Sequence, residues 1–166
     1  MTNNKQLQLA LEIATMAHKN VQRRNGDPYI FHVLRVANNS TYIRTKTQKA
    51  AGILHDVIED TPFDEEFLRQ QGIDESILEV LRFLTHNKET TTYENYIAHI
   101  CQNVDAMLVK LADLTDNLDQ GTLPVLTERD IERFKIYKTA QQTIMETLAK
   151  EHPSIFQEIL FRERFL

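Results

Sequence analysis

Apolar residues recur along most of this chain at spacings of three and four, and no segment alternates apolar and polar over a strand's length. That is the helical period. Residues 5–20 carry Leu7, Leu9, Ile13, Ala14 and Ala17 and predict a first amphipathic helix. Asn25-Gly26-Asp27-Pro28 predicts a turn, with Asp27 as N-cap and Pro28 at the first position of a helix that carries Tyr29 to Ala37. Ala50 to Thr61 predicts a third helix, stopped by Pro62. Phe63-Asp64-Glu65 starts a fourth, ending before Gly72. Further helices are predicted over about 74–85, 92–101, 104–119 and 128–149, with a short tail. No repeat, low-complexity tract or linker interrupts the series, so residues 1–166 predict one all-α domain, a single helical bundle.

Composition narrows the class. Apolar residues are 42% and charged residues 26%, as in an ordinary soluble domain. No apolar run approaches the ~20 residues that span a bilayer, and the MTNNKQLQLA start has no signal-peptide core. The expected location is the cytoplasm, away from membranes. Cys101 is the single cysteine, so no internal disulfide forms. A net charge of -5 argues against a nucleic-acid-coating protein. An anionic ligand would need a local device, such as a metal or a small arginine cluster.

The stretch AAGILHDVIEDT, residues 50–61, is where chemistry first enters. With His55 at 0°, Glu59 falls at about 40°, Gly52 at about 60°, Asp56 at about 100° and Asp60 at about 140°. The apolar residues fill the rest of the circle, so the helix is mostly buried. Three carboxylates thus crowd one wedge, where like charges repel. Two of them lie near a helix C-terminus, which disfavours anions. A cation in the wedge relieves both; the alternative is a solvated acidic stripe.

Further ligands must come from elsewhere. His32 lies among large apolar residues in YIFHVLRVA. Taken alone it reads as a hydrogen-bonded core histidine sooner than as a ligand. On the helix over 104–119, Lys110, Asp113 and Asn117 form a stripe flanking an apolar one (Val104, Met107, Leu108, Leu111, Leu114, Leu118). An aspartate there needs a partner, and Lys110 is one candidate. His18 reads as a helix-end residue, His86, His99 and His152 as surface, and Cys101 as core.

The order His…His-Asp…Asp resembles the HD-domain metal-dependent phosphohydrolase pattern. QRRNGDPYIFH, AAGILHDVIEDT, YENYIAHI and VKLADLTDN resemble, in order, the hydrolase domain of the RelA/SpoT family of alarmone enzymes, which act in the stringent response. The resemblance covers roughly residues 8–137. It implies that His32, His55, Asp56 and Asp113 are metal ligands, that the divalent ion is manganese, and that Glu59 and Asp60 are a catalytic acid pair. It implies nucleotide contacts for Arg23 and Arg24 and a nucleoside contact for Asn117. Arg133 and Tyr137 resemble a pair near the substrate in small members; a surface arginine and a half-buried tyrosine is their plain alternative. Two departures stand out: His32-Val33 replaces the usual H-P, and Leu114-Thr115-Asp116 replaces R-L-H. The second removes a basic and an imidazole group beside the site.

The implied reaction is hydrolysis of the 3′-pyrophosphate of guanosine tetra- or pentaphosphate, giving GDP or GTP. The expected partner is therefore a guanine nucleotide, with no nucleic acid and no membrane. The competing readings are a phosphohydrolase acting on another nucleotide and a non-catalytic nucleotide-binding regulatory domain.

Overall fold

The computed structural model describes residues 3–119 and 125–165. Among these, every regular element is a helix: α1 Asn3–Ala17, α2 Ile30–Ala37, α3 Lys46–Leu54, α4 Val57–Asp60, α5 Glu65–Gln71, α6 Glu75–Leu84, α7 Tyr93–Ile100, α8 Val104–Asn117, α9 Glu128–Glu151 and α10 Pro153–Phe165. Among the described residues the one strand-like feature is an isolated bridge between Gln22 and Pro28. None of these helices is long and apolar enough to cross a membrane.

Helix α3 is the axis of the fold. It packs against α1, α2, α6 and α8, and its residues Ala50 to Leu54 are all buried. A capping box starts it: Thr45 Oγ1 accepts from the Gln48 N–H, and the Gln48 side chain accepts from the Thr45 N–H. Gly52 lets α3 approach α2 closely, because a Cβ there would stand 3.3 Å from the Ala37 Cα. Helix α8 lies across α2 and α3, with Met107, Leu108, Leu111 and Leu114 in the core. Helix α5 is opened by the Asp64 side chain and closed by Gly72 in the left-handed conformation, φ 96°.

Three details differ from the sequence expectation. The helix predicted over 50–61 is two helices, with His55 and Asp56 at the break between α3 and α4. Asp56 has φ -101° and ψ -2°, in the bridge region where many site residues sit. The Asp60 N–H still reaches the Asp56 carbonyl at 3.0 Å, so the helical wedge survives locally. Second, Asp27 and Pro28 do not open α2. The Arg23 N–H donates to the Asp27 carbonyl and the Tyr29 N–H to the Val21 carbonyl, holding this stretch in a paired turn until Ile30. Third, the tail is helix α10. Ile159 is fully buried, Tyr42 Oη donates to Glu163 at 3.0 Å, and Arg162 donates to the Ser40 carbonyl.

Candidate active site

Three helices bring the four expected ligands to one point. His32 projects from α2, His55 and Asp56 from the α3–α4 break, and Asp113 from α8. His32, His55 and Asp56 each offer a ligand atom within 4.8 Å of the others. Asp113 Oδ1 lies 3.4 Å from His32 Nε2 and 3.6 Å from His55 Nε2. Both histidines are buried.

The donor chemistry fits a divalent ion. His55 Nδ1 donates to the Gly52 carbonyl at 2.8 Å, which turns Nε2 inward. That Nε2 is buried and makes no hydrogen bond; Asp56 Oδ2 is 2.9 Å away but off its axis. An orphaned buried imidazole nitrogen close to two carboxylates is the arrangement a metal completes. Two imidazoles and two carboxylates suit a first-row divalent ion with positions left for water and phosphate oxygens. Burial disfavours charge on Asp56 and Asp113, but neighbours outweigh it. His55 and His32 hold the Asp56 carboxyl well below its usual range. Lys110, 2.8 Å from Asp113 Oδ2, does the same for Asp113 with both histidines. Tyr29 Oη donates to Asp56 Oδ2 at 2.5 Å, and burial together with Asp56 pushes that phenol far above 10.

Beside the cluster opens a pocket of about 420 Å³, lined among others by Tyr29, Glu59, Asp60, His86, Lys88, Tyr93, Tyr96, Lys110, Asn117, Arg133 and Tyr137. Glu59 accepts from the His86 backbone N–H at 3.2 Å and pairs with Lys88 at 2.7 Å. Asp60 is half-exposed, with Lys88 3.9 Å away. Burial, Asp56 and Glu59 together raise the Asp60 carboxyl. Tyr137 faces the Tyr93 ring at 6.1 Å between centroids, and Arg133 leans on Asp130 at 2.9 Å.

Arg23 and Arg24 do not line this pocket. Arg23 donates to Asp116 at 2.6 Å and to Asn117 Oδ1 at 3.1 Å; Asn117 in turn donates to Asp113 at 2.5 Å. Arg24 donates to Asp130 at 2.5 Å and to the Val125 carbonyl at 2.9 Å, tying the α1–α2 loop to the start of α9. His86 is not a surface residue: it is half-buried in the pocket wall, stacked on Tyr96 at 4.5 Å. Sequence reasoning passed over Tyr29, Lys88, Tyr93 and Tyr96. The segment YENYIAHI held the two α7 tyrosines in view, but nothing in it tells which face meets the pocket.

Comparisons with known proteins agree with this architecture. The family profile described as HD domain matches residues 29–118. A Haemophilus influenzae protein named guanosine-3′,5′-bis(diphosphate) 3′-pyrophosphohydrolase is 33% identical over 64% of the chain and 17% of its own length. The Escherichia coli K12 protein named bifunctional (p)ppGpp synthase/hydrolase SpoT is 34% identical over 69% of the chain and 18% of its own length. The chain thus spans under a fifth of these curated relatives, 17% and 18% respectively. The solved structure of a metazoan ortholog of SpoT, described as hydrolysing ppGpp, superposes with a TM-score of 0.73. It is 23% identical, over 97% of this chain and 96% of that one, and so attests the fold.

Proposed function

The chain belongs to the HD-domain family, and from that premise we propose that it hydrolyses the 3′-pyrophosphate of guanosine tetra- or pentaphosphate in a metal-dependent reaction. Water and the 3′-ester become a free 3′-hydroxyl on GDP or GTP plus pyrophosphate. The observation that carries this is the orphaned His55 Nε2 among three further donors, with two carboxylates beside it in a pocket of nucleotide size. The names of the curated relatives point to the same substrate.

His32, His55, Asp56 and Asp113 would hold the ion, manganese by this reading. When bound, it lowers the pKa of water and withdraws electrons from a phosphate oxygen. The protein does the rest. Glu59 and Asp60, one turn beyond His55 and Asp56, accept the water's proton and fix its approach. Burial, Asp56 and Glu59 raise the Asp60 carboxyl, so it takes up a proton more readily than an ordinary aspartate. Lys88 and Arg133 line the pocket and offset polyphosphate charge in a chain of net charge -5. Asn117 and Tyr137 border the nucleoside, while Arg23 and Arg24 act from outside the pocket wall unless the nucleotide draws them in. The substrate is a soluble guanine nucleotide, the setting is the cytoplasm and the physiological context is the stringent response.

The test is a hydrolysis screen of the purified chain with manganese, over guanosine tetraphosphate, NADPH, deoxynucleotides and cyclic nucleotides. GDP and pyrophosphate from the first support the proposal. Turnover of another nucleotide with none of the first would move the substrate and leave the hydrolase. Binding of nucleotide and metal without turnover would make this a binding domain.

A further inference from the structure

Asp116 stands where the related motif carries an imidazole, and it is buried against the back of the metal cluster. Its side chain is 8% exposed and collects three donors from α2 and the loop before it. His32 Nδ1 lies 2.6 Å from Oδ2, and Arg23 Nη1 lies 2.6 Å from the same oxygen. Arg35 reaches Oδ1 through Nε and Oδ2 through Nη2, the latter at 3.2 Å. Arg23 Nη1 and His32 Nδ1 are themselves 2.9 Å apart. An ionised carboxylate only accepts, so the 2.6 Å contact makes His32 Nδ1 a donor to Asp116. Arg23 Nη1, which carries two hydrogens, gives one to the same oxygen, and the short N–N contact sets two donors side by side.

The consequence falls on the other side of the ring. With Nδ1 committed as a donor, the His32 lone pair available to an ion is on Nε2. That atom faces Asp113 Oδ1 at 3.4 Å and Asp56 Oδ2 at 3.7 Å. Asp113 and Asp116 share one helix, three residues apart, and His32 and Arg35 share another with the same spacing. One carboxylate therefore fastens α2 to α8 and orients a ligand from the first toward a ligand on the second.

We propose that Asp116 is a positioning residue for the metal centre, fixing His32 with Nδ1–H outward and Nε2 toward Asp56 and Asp113 while anchoring Arg23 on the same oxygen. The inference deepens the metal-centre reading and rests on it. Carboxylates that orient a ligating histidine in this way contribute about 10- to 100-fold to metal affinity. The two arginines explain why a third acid is tolerated behind an already acidic cluster: their charges balance Asp116 without touching the ligand atoms.

Calorimetric titration of the chelator-stripped full chain with Mn(II) tests it. Asp116→Ala removes the acceptor and should bind Mn(II) about 10- to 100-fold more weakly than wild type. Asp116→Asn keeps an oxygen for the His32 Nδ1–H and should fall between the two. Arg35→Ala breaks two contacts to the same carboxylate and spares the histidine, so it should stay within about threefold of wild type even if its melting temperature drops. That ordering separates ligand orientation from mere helix fastening. The isosteric asparagine keeps the test alive if the alanine variant fails to fold. Equal affinity of the Asp116 variants and wild type would overturn the inference, as would a loss in Arg35→Ala as large as in Asp116→Ala. Wild type that takes up no Mn(II) would instead overturn the metal centre itself.

Discussion

Lys88 Nζ lies 2.7 Å from Glu59 Oε1, so the loop after α6 carries a cation onto the acid pair. Its side chain is two-thirds exposed, and Glu59 with Asp60 raises its pKa. In the free protein it balances carboxylate charge; beside a polyphosphate it has a second anion to meet. Lys88→Gln should raise KM for guanosine tetraphosphate by roughly tenfold, the effect of about 1.4 kcal/mol, with a smaller change in kcat. A pair whose lysine is two-thirds exposed contributes only about 0–1 kcal/mol, so the melting temperature should barely move. Steady-state kinetics and a melting curve on the variant check both.

Glu59→Gln addresses the chemical step. The glutamine keeps the shape and can still accept from His86, so fold and metal content should persist. Loss of a proton acceptor should lower kcat by about 10²- to 10⁴-fold with a much smaller change in KM. Near-normal kcat in a variant that still binds metal would remove Glu59 from the role assigned to it.

Gly52 tests the packing that places His55. A methyl there would sit 3.3 Å from the Ala37 Cα and 3.6 Å from Val36 Cγ1, so the α2 backbone must give by a few tenths of an ångström. Gly52→Ala should therefore destabilise by about 1–3 kcal/mol in spite of alanine's better helix propensity. Urea unfolding measures this; unchanged or increased stability would mean that the two helices adjust freely.

Tyr42 gives a pH signature for the docking of α10. Burial and the Glu163 carboxylate push its phenol up to about 12 from 10. A pKa raised in the folded state means stability that is complete below pH 10 and is lost as pH climbs through about 12. At neutral pH Tyr42→Phe loses one hydrogen bond, about 0.5–1.5 kcal/mol. That gap between wild type and variant should shrink as pH rises across this window. Denaturant curves at pH 8 and above pH 11 check it, and a constant gap would argue against the buried phenol.

The candidate site was legible in sequence to the extent that helical periodicity could carry it. A wide apolar arc around His55 and Asp56 announced a buried helix with a polar wedge, and α3 is buried from Ala50 to Leu54. The stripe Lys110, Asp113 and Asn117 appears as two real contacts along α8, at 2.8 Å and 2.5 Å. What periodicity does not carry is which helices cross. Asp116 read as the loss of an imidazole, because only the α2–α8 crossing sets it against His32 and two arginines. Lys88 and His86 reach Glu59 through a loop, where no period operates. Helix α10 read as a tail because its apolar side chains are not on one face: Ile159 is buried while Phe161 and Phe165 are exposed. The Thr45 and Gln48 capping box, by contrast, was a written signal that went unread, and α3 accordingly starts at Lys46.

In the proposed function, His32, His55, Asp56 and Asp113 together hold one ion that the acid pair needs for hydrolysis. Its most direct test is pyrophosphate release from guanosine tetraphosphate by chelator-stripped protein titrated with Mn(II). No release is expected without metal, full recovery near one equivalent, and no recovery in His55→Ala at the same metal concentration. Undiminished turnover by the stripped protein, or by His55→Ala, would contradict it.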